Sequence, residues 1–230
     1  MTGCFEYPKA ARFGRVVPKS KIYDAGGLST KQRQRFVDQV DQISWAYKLA
    51  PETINLAAST SVPEIQVFEL RMRGSDIDYE VLQAIDRAIP FPILFELRKG
   101  EERRLVAAYK RPSDADAGKW VVSEHFAADW EPVDKPRKSL PRALDLGGLY
   151  DKVLKELISG APLEGETLQD RVSRVEAIRA KEREIERIKS RLAREKQFNK
   201  KVAINAELRA ATAELKQLGG RVTIDPAASK

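Results

Sequence analysis

The stretch FPILFELRKGEERRLVAAYKR, residues 91–111, decides the class of fold. Ile93, Phe95 and Leu97 alternate with Leu94, Glu96 and Arg98, and a short turn holding Gly100 leads into Leu105, Ala107 and Tyr109. Alternation on both sides of a glycine turn predicts a β-hairpin. Upstream, VPEIQVFELRM (62–72) is rich in Val, Ile and Phe and predicts another strand, as does Trp120 to Phe126. Between strand and hairpin, Val81, Leu82, Ile85 and Ile89 recur at helical spacing until Pro90 stops them. Strands and helices mixed in this way predict an α+β domain.

Working towards the N-terminus, Ser29-Thr30-Lys31-Gln32 has the form of a capping box, in which each end satisfies an orphan backbone donor. Phe36, Val40, Ile43 and Tyr47 follow at spacings of four, three and four, which predicts one amphipathic helix running on towards Pro51. The residues before it carry Lys9, Arg12, Arg15, Lys19 and Lys21 with Pro8 and Pro18, and predict a basic arm or edge segment. Trp45, Trp120, Trp130, Tyr47 and Phe68 fall in core-forming segments and are expected to be buried.

Towards the C-terminus, Lys135 to Pro141 predicts a connector, and Leu149, Val153, Leu154 and Leu157 predict a short helix over 146–158. From Glu166 to Leu218 there is neither Gly nor Pro. Ile178, Ile185, Ile188 and Leu192 recur in the rhythm of a coiled-coil seam, and Val202, Leu208, Ala211, Leu215 and Leu218 form a second apolar run. Glu195 and Asn199 interrupt the seam, and Asn199 is read as a register-fixing polar residue or part of a bend. An unbroken helix would span roughly 80 Å. Its stripe is too narrow to be a core, so it must pack on a second copy, on another protein, or on itself at the interruption. The organisation expected is an N-terminal mixed α/β globular domain (1–135), a connector with a short helix (136–162), a long charged coiled-coil helix (163–220) and a loose tail (221–230). Gly219-Gly220 is read as the helix stop.

Composition excludes much chemistry. Cys4 and His125 are the single cysteine and histidine, so no intrachain disulfide, cysteine zinc site or two-histidine zinc motif can form. His125 lies in SEHFAADW without a nucleophile and reads as structural. No phosphate-binding glycine loop occurs. No cofactor or metal is expected. No stretch is apolar enough to cross a bilayer, and MTGCFEYPKAAR lacks the apolar core of a signal peptide, so a cytoplasmic protein is expected. The net charge of +7 favours acidic partners, nucleic acid foremost.

The strongest binding candidate is Arg187, Lys189, Arg191, Arg194, Lys196, Lys200 and Lys201, an interval with Glu195 as its acidic member. Arg187, Arg191 and Arg194 share one helical face, suited to phosphates; the bland alternative is the solvated flank of a coiled coil. A rival reading sets Glu64, Glu69 and Glu96 around a metal as a divergent nuclease. Against it, Glu96-Leu97-Arg98 carries arginine where such enzymes need a proton-managing lysine.

The stretches FVDQVDQISWAYKLAPETINL, VPEIQVFEL, AIPFPILFELR and EKQFNKKVAINAEL together resemble a prokaryotic family catalogued as domain of unknown function 4391. That resemblance implies an accessory place beside helicases and DNA methyltransferases of restriction or phage-defence systems, and brings no catalytic residues. The expectation is therefore a non-enzymatic accessory or assembly subunit. It would bind a partner protein (a helicase or methyltransferase), DNA, or both, through the N-terminal domain and the basic coil. A homodimer held by the seam alone is a second rival.

Overall fold

The computed structural model describes residues 3–113, 116 and 119–219. They form two compact units that divide between Ala161 and Pro162. The first unit begins with β1 (Phe5–Glu6), β2 (Arg12–Val16), α1 (Lys19–Gly26), α2 (Thr30–Gln39), β3 (Val40–Leu49), α3 (Pro51–Ile54) and β4 (Ile65–Met72). It continues with α4 (Tyr79–Ala88), β5 (Ile93–Lys99), β6 (Glu102–Pro112), β7 (Trp120–Ala127), β8 (Glu131–Pro132), β9 (Lys138–Ser139) and α5 (Leu146–Leu157). The second unit holds α6 (Leu168–Arg194) and α7 (Phe198–Gln217). The class is α+β. The expected Gly220 stop and the tail 221–230 lie outside the described residues.

The main sheet runs β2-β3-β4-β5-β6-β7, with β8 beside β6. Only β4 and β5 among these neighbours are parallel, because α4 carries the chain back across one face. The hairpin read from residues 91–111 is β5–β6, paired from Leu94↔Ala107 to Lys99↔Glu102. Its turn works because Gly100 takes φ 53°, a region L side chains avoid. Along β4, Phe68, Leu70 and Met72 point into a core with Phe95 and Leu97 of β5, Phe36 of α2 and Val81, Leu82 and Ile85 of α4. Each such side chain contributes roughly 1.5–3 kcal/mol by leaving water. The short helix α5, expected within a connector, packs on β6 and β7 as part of the first unit. Its Leu149, Val153, Leu154 and Leu157 are buried, and Tyr150 donates its hydroxyl proton to the carbonyl of Ala108.

Two helix expectations are corrected. The capping box at Ser29 forms, with Gln32 N donating to Ser29 Oγ at 3.4 Å, but α2 stops at Gln39. Val40, Ile43 and Tyr47 lie on β3, between β2 and β4. The segment VDQISWAYKL fits a period of two as well as a helical one, and sheet hydrogen bonds on both sides settle the matter. Pro51, read as a helix stop, instead opens α3. The long C-terminal helix is not continuous either: residues 195–197 separate α6 from α7. Phe68 is buried as expected, whereas Trp45, Tyr47, Trp120 and Trp130 are half-buried. No described helix is long and apolar enough to cross a membrane.

Candidate nucleic-acid interface

The second unit is a hairpin of two helices that satisfies its own apolar stripe. Ile178, Ile185, Ile188 and Leu192 of α6 pack against Ile204, Leu208, Ala211 and Leu215 of α7. Lys181 pairs with Glu214 at 2.6 Å and Arg191 with Glu207 at 3.1 Å, so the helices run antiparallel. At the entrance to α6, Thr167 Oγ1 accepts from Asp170 N at 3.1 Å, completing a cap. The break falls where no apolar residue calls for continuation. Glu195 turns to extended backbone with ψ 134°, and its Oε1 accepts from the amides of Lys196 and Gln197, both at 2.8 Å. Those bonds, the Gln197 one foremost, hold the Glu195 carboxyl below its ordinary pKa.

The consequence is a concentrated tip. Among the described residues Arg194, Lys196, Lys200 and Lys201 make no ion pair, while one oxygen of the acid among them, Glu195, accepts from backbone amides. Arg191, Arg194 and Lys200 surround an open hollow of about 410 Å³ with Glu195, Glu207, Ala203 and Ile204. Arg187 and Lys189 lie further from the turn: Lys189 pairs with Glu186 at 2.8 Å, and Arg187 flanks a second hollow with Glu184, Glu207 and Glu214. Five of the seven basic residues singled out from sequence thus meet at the tip, and two sit among acids. Asn199 is exposed in the first turn of α7 and holds no seam position, because the turn ends the seam before it. Sequence reasoning missed Phe198, which is 77% exposed at the start of α7, and the exposure of Val202 one turn later.

In the sheet, Glu69 and Glu96 are in-register partners across β4 and β5. Glu96 is 2% exposed and takes a two-bond grip from Arg137, at 2.7 and 2.8 Å. Glu69 accepts from Arg98 at 3.5 Å. Glu64, just before β4, stands apart from both; it lies 3.3 Å from Lys48 Nζ and accepts from Gln66 Nε2 at 2.5 Å. No group of three metal-ligating side chains occurs among the described residues. Beside Glu96, burial pushes the Cys4 thiol up to about 12, which keeps it protonated and unreactive.

A second buried cluster joins α4 to β6 and β7. His125 Nε2 lies 2.8 Å from Asp86 Oδ2, and its ring stacks on Tyr79 with centroids 5.6 Å apart. Lys110 donates to the carbonyls of Asp86 and Ile89, capping the C-terminal end of α4 where a cation complements the helix dipole. Burial lowers the Lys110 pKa against the opposing pull of Asp86. All three side chains, Asp86, Lys110 and His125, are enclosed, which suits a structural clamp. A cleft of about 470 Å³ also opens between β2, α1 and the end of α4. Trp45, Phe68, Ile89 and Phe91 line its apolar part, and Arg15 and Lys21 lie at its margin.

A family model described as a domain of unknown function, DUF4391, matches residues 5–215. The chain belongs to that family. The match spans both units, so the DUF4391 body includes the hairpin as well as the sheet. No curated protein and no solved structure matches the chain significantly.

Proposed function

We propose that this chain works by binding: it is a non-enzymatic accessory or assembly subunit of a DNA-processing system, and the hairpin tip is its nucleic-acid contact. One observation carries the reading. The α6–α7 turn gathers Arg194, Lys196, Lys200 and Lys201 without ion pairs among the described residues, and the intervening Glu195 accepts from backbone amides. Cations left unpaired and exposed are available to displace counterions from phosphates. The cleft beside β2, with Arg15 and Lys21 at its edge and no acidic residue in its lining, supports a second contact with an acidic partner protein.

The nuclease reading has less support, since Glu64, Glu69 and Glu96 are each bonded to a neighbouring side chain. So has dimerisation through Ile178, Ile185, Ile188 and Leu192, since these pack on α7 of the same chain.

Fluorescence anisotropy on the full chain with labelled DNA, titrated with salt, tests the proposal. Reversing Arg194, Lys196, Lys200 and Lys201 to Glu should abolish binding near physiological salt. Neutralising them one at a time should lower the slope of log K against log salt by roughly 0.7–0.9 per residue. Equal affinities and slopes in wild type and the fourfold variant would overturn it.

A further inference from the structure

Phe198 has no role in the packing of its own unit. The hairpin core comprises Ile185, Ile188, Ile204, Ala211 and Leu215, with Ile178, Leu192 and Leu208 at its margin. Phe198 is outside that set and 77% exposed, against 39% for Tyr79, the other aromatic among the strongly exposed large apolar residues. Val202 follows at i+4, on the same side of α7, and is 50% exposed. Isolated apolar residues are ordinary on protein surfaces. This pair is distinguished by its neighbours: Lys196, Lys200 and Lys201 lie within three residues of the ring, and no acid but Glu195 is near it in sequence.

An exposed ring set among unpaired cations matches the requirements of one ligand chemistry. Single-stranded nucleic acid presents phosphates at short intervals and bases whose faces are open to stacking, and aromatic side chains bind such bases with little regard to sequence. A duplex offers the same phosphates but hides its base faces within the stack. We propose that Phe198 is a base-stacking residue and that the hairpin tip selects single-stranded nucleic acid over duplex. In this arrangement Arg194, Lys196, Lys200 and Lys201 hold the phosphates, Phe198 takes an unpaired base on its face, and Val202 adds apolar contact beside it. The inference rests on the tip being the nucleic-acid contact, and deepens it by naming the form of nucleic acid.

The test uses the full chain and four labelled probes: a 15-nucleotide thymidine strand, the matching uridine strand, a blunt duplex, and a single strand carrying 2-aminopurine. Wild type should bind the single strands more tightly than the duplex and quench 2-aminopurine. Phe198→Ala should weaken single-strand binding by about tenfold or more, leave duplex binding within about twofold, and remove the quenching. Phe198→Trp should restore all three, and circular dichroism should show unchanged helix content in both variants. The thymidine and uridine arms distinguish DNA from RNA as the source of the strand. If Phe198→Ala binds single strands as wild type does while the fourfold charge variant has lost binding, stacking is overturned and the basic tip stands. If the charge variant also binds normally, the tip itself is overturned as the nucleic-acid contact. If wild type binds none of the probes at low salt, both proposals fail and the exposed ring belongs to a protein interface.

Discussion

Glu96 in β5 and Glu195 at the hairpin turn are the same side chain in opposite surroundings. Glu96 is 2% exposed and its two oxygens take two bonds from one guanidinium. Glu195 stands among five basic residues, and its Oε1 accepts from the backbone amides of Lys196 and Gln197. In the sheet unit, pairing with Arg137 makes the Glu96 carboxylate part of the scaffold. At the tip, backbone amides take one oxygen of the acid, and the cations face solvent. Charge content alone does not distinguish the two regions; what each charge is bonded to does.

The largest expected effect breaks the sheet side of this contrast. Glu96→Ala leaves Arg137 half-enclosed without its carboxylate, and removing one partner of a buried pair costs about 3 kcal/mol. Urea denaturation of the full chain should register that loss. A change under about 1 kcal/mol would put the pair in the class of surface ion pairs.

A smaller effect is expected at the start of the hairpin unit. Arg174 gives Glu166 two bonds, at 2.5 and 2.8 Å, and these hold its carboxyl at about 2 instead of 4.5. A lowered folded pKa contributes stability above the ordinary value, and that contribution fades as pH falls from there through about 2. Arg174→Met should therefore lower the melting temperature at neutral pH, with the difference from wild type closing on acidification through that window. Circular dichroism melts across the range check it; a difference that persists undiminished at about pH 2 would mean that Arg174 acts by packing alone.

The smallest effect concerns the turn. Glu195→Ala removes a cap from exposed amides and a negative charge from the tip. The hairpin should lose less stability than any part of the sheet loses with Glu96, and nucleic-acid affinity should rise by about twofold from the lost repulsion. A fall in affinity would show that the cap's ordering of the turn matters more than its charge.

Legibility in the sequence follows the number of conformations each pattern allows. Residues 91–111 alternate over two runs around a glycine that accepts positive φ, and the hairpin could be read outright. Val81, Leu82, Ile85 and Ile89 before Pro90 were equally plain as a helix, since helical spacing runs up to a stop; the cap that Asp78 supplies to α4 was not read. Val40 to Leu49 was misread because one short apolar segment satisfies both periods, and its strand character depends on β2 and β4 lying on either side. The basic interval was legible as a cluster, but its division into paired Lys189 and Arg191 and unpaired Arg194, Lys196, Lys200 and Lys201 was not. That division depends on Glu186 and Glu207, and the latter comes close only after the chain reverses. Phe198 was not singled out, as it lies in the polar interruption between the two apolar runs, and its exposure is seen only once the hairpin core is packed without it.

The sequence by itself determined the α+β class, the β5–β6 hairpin, α4, α5, the cap at Ser29 and the helical, positively charged character of the C-terminal stretch. These rest on local periodicity, backbone preference and net charge, which need only neighbours along the chain. Tertiary structure alone decided that residues 40–49 are a strand, that the apolar stripe closes on its own chain at 195–197, that Glu96 is held by Arg137, and that Phe198 faces solvent. Each of these depends on which distant group arrives to complete a hydrogen bond, an ion pair or a packing contact.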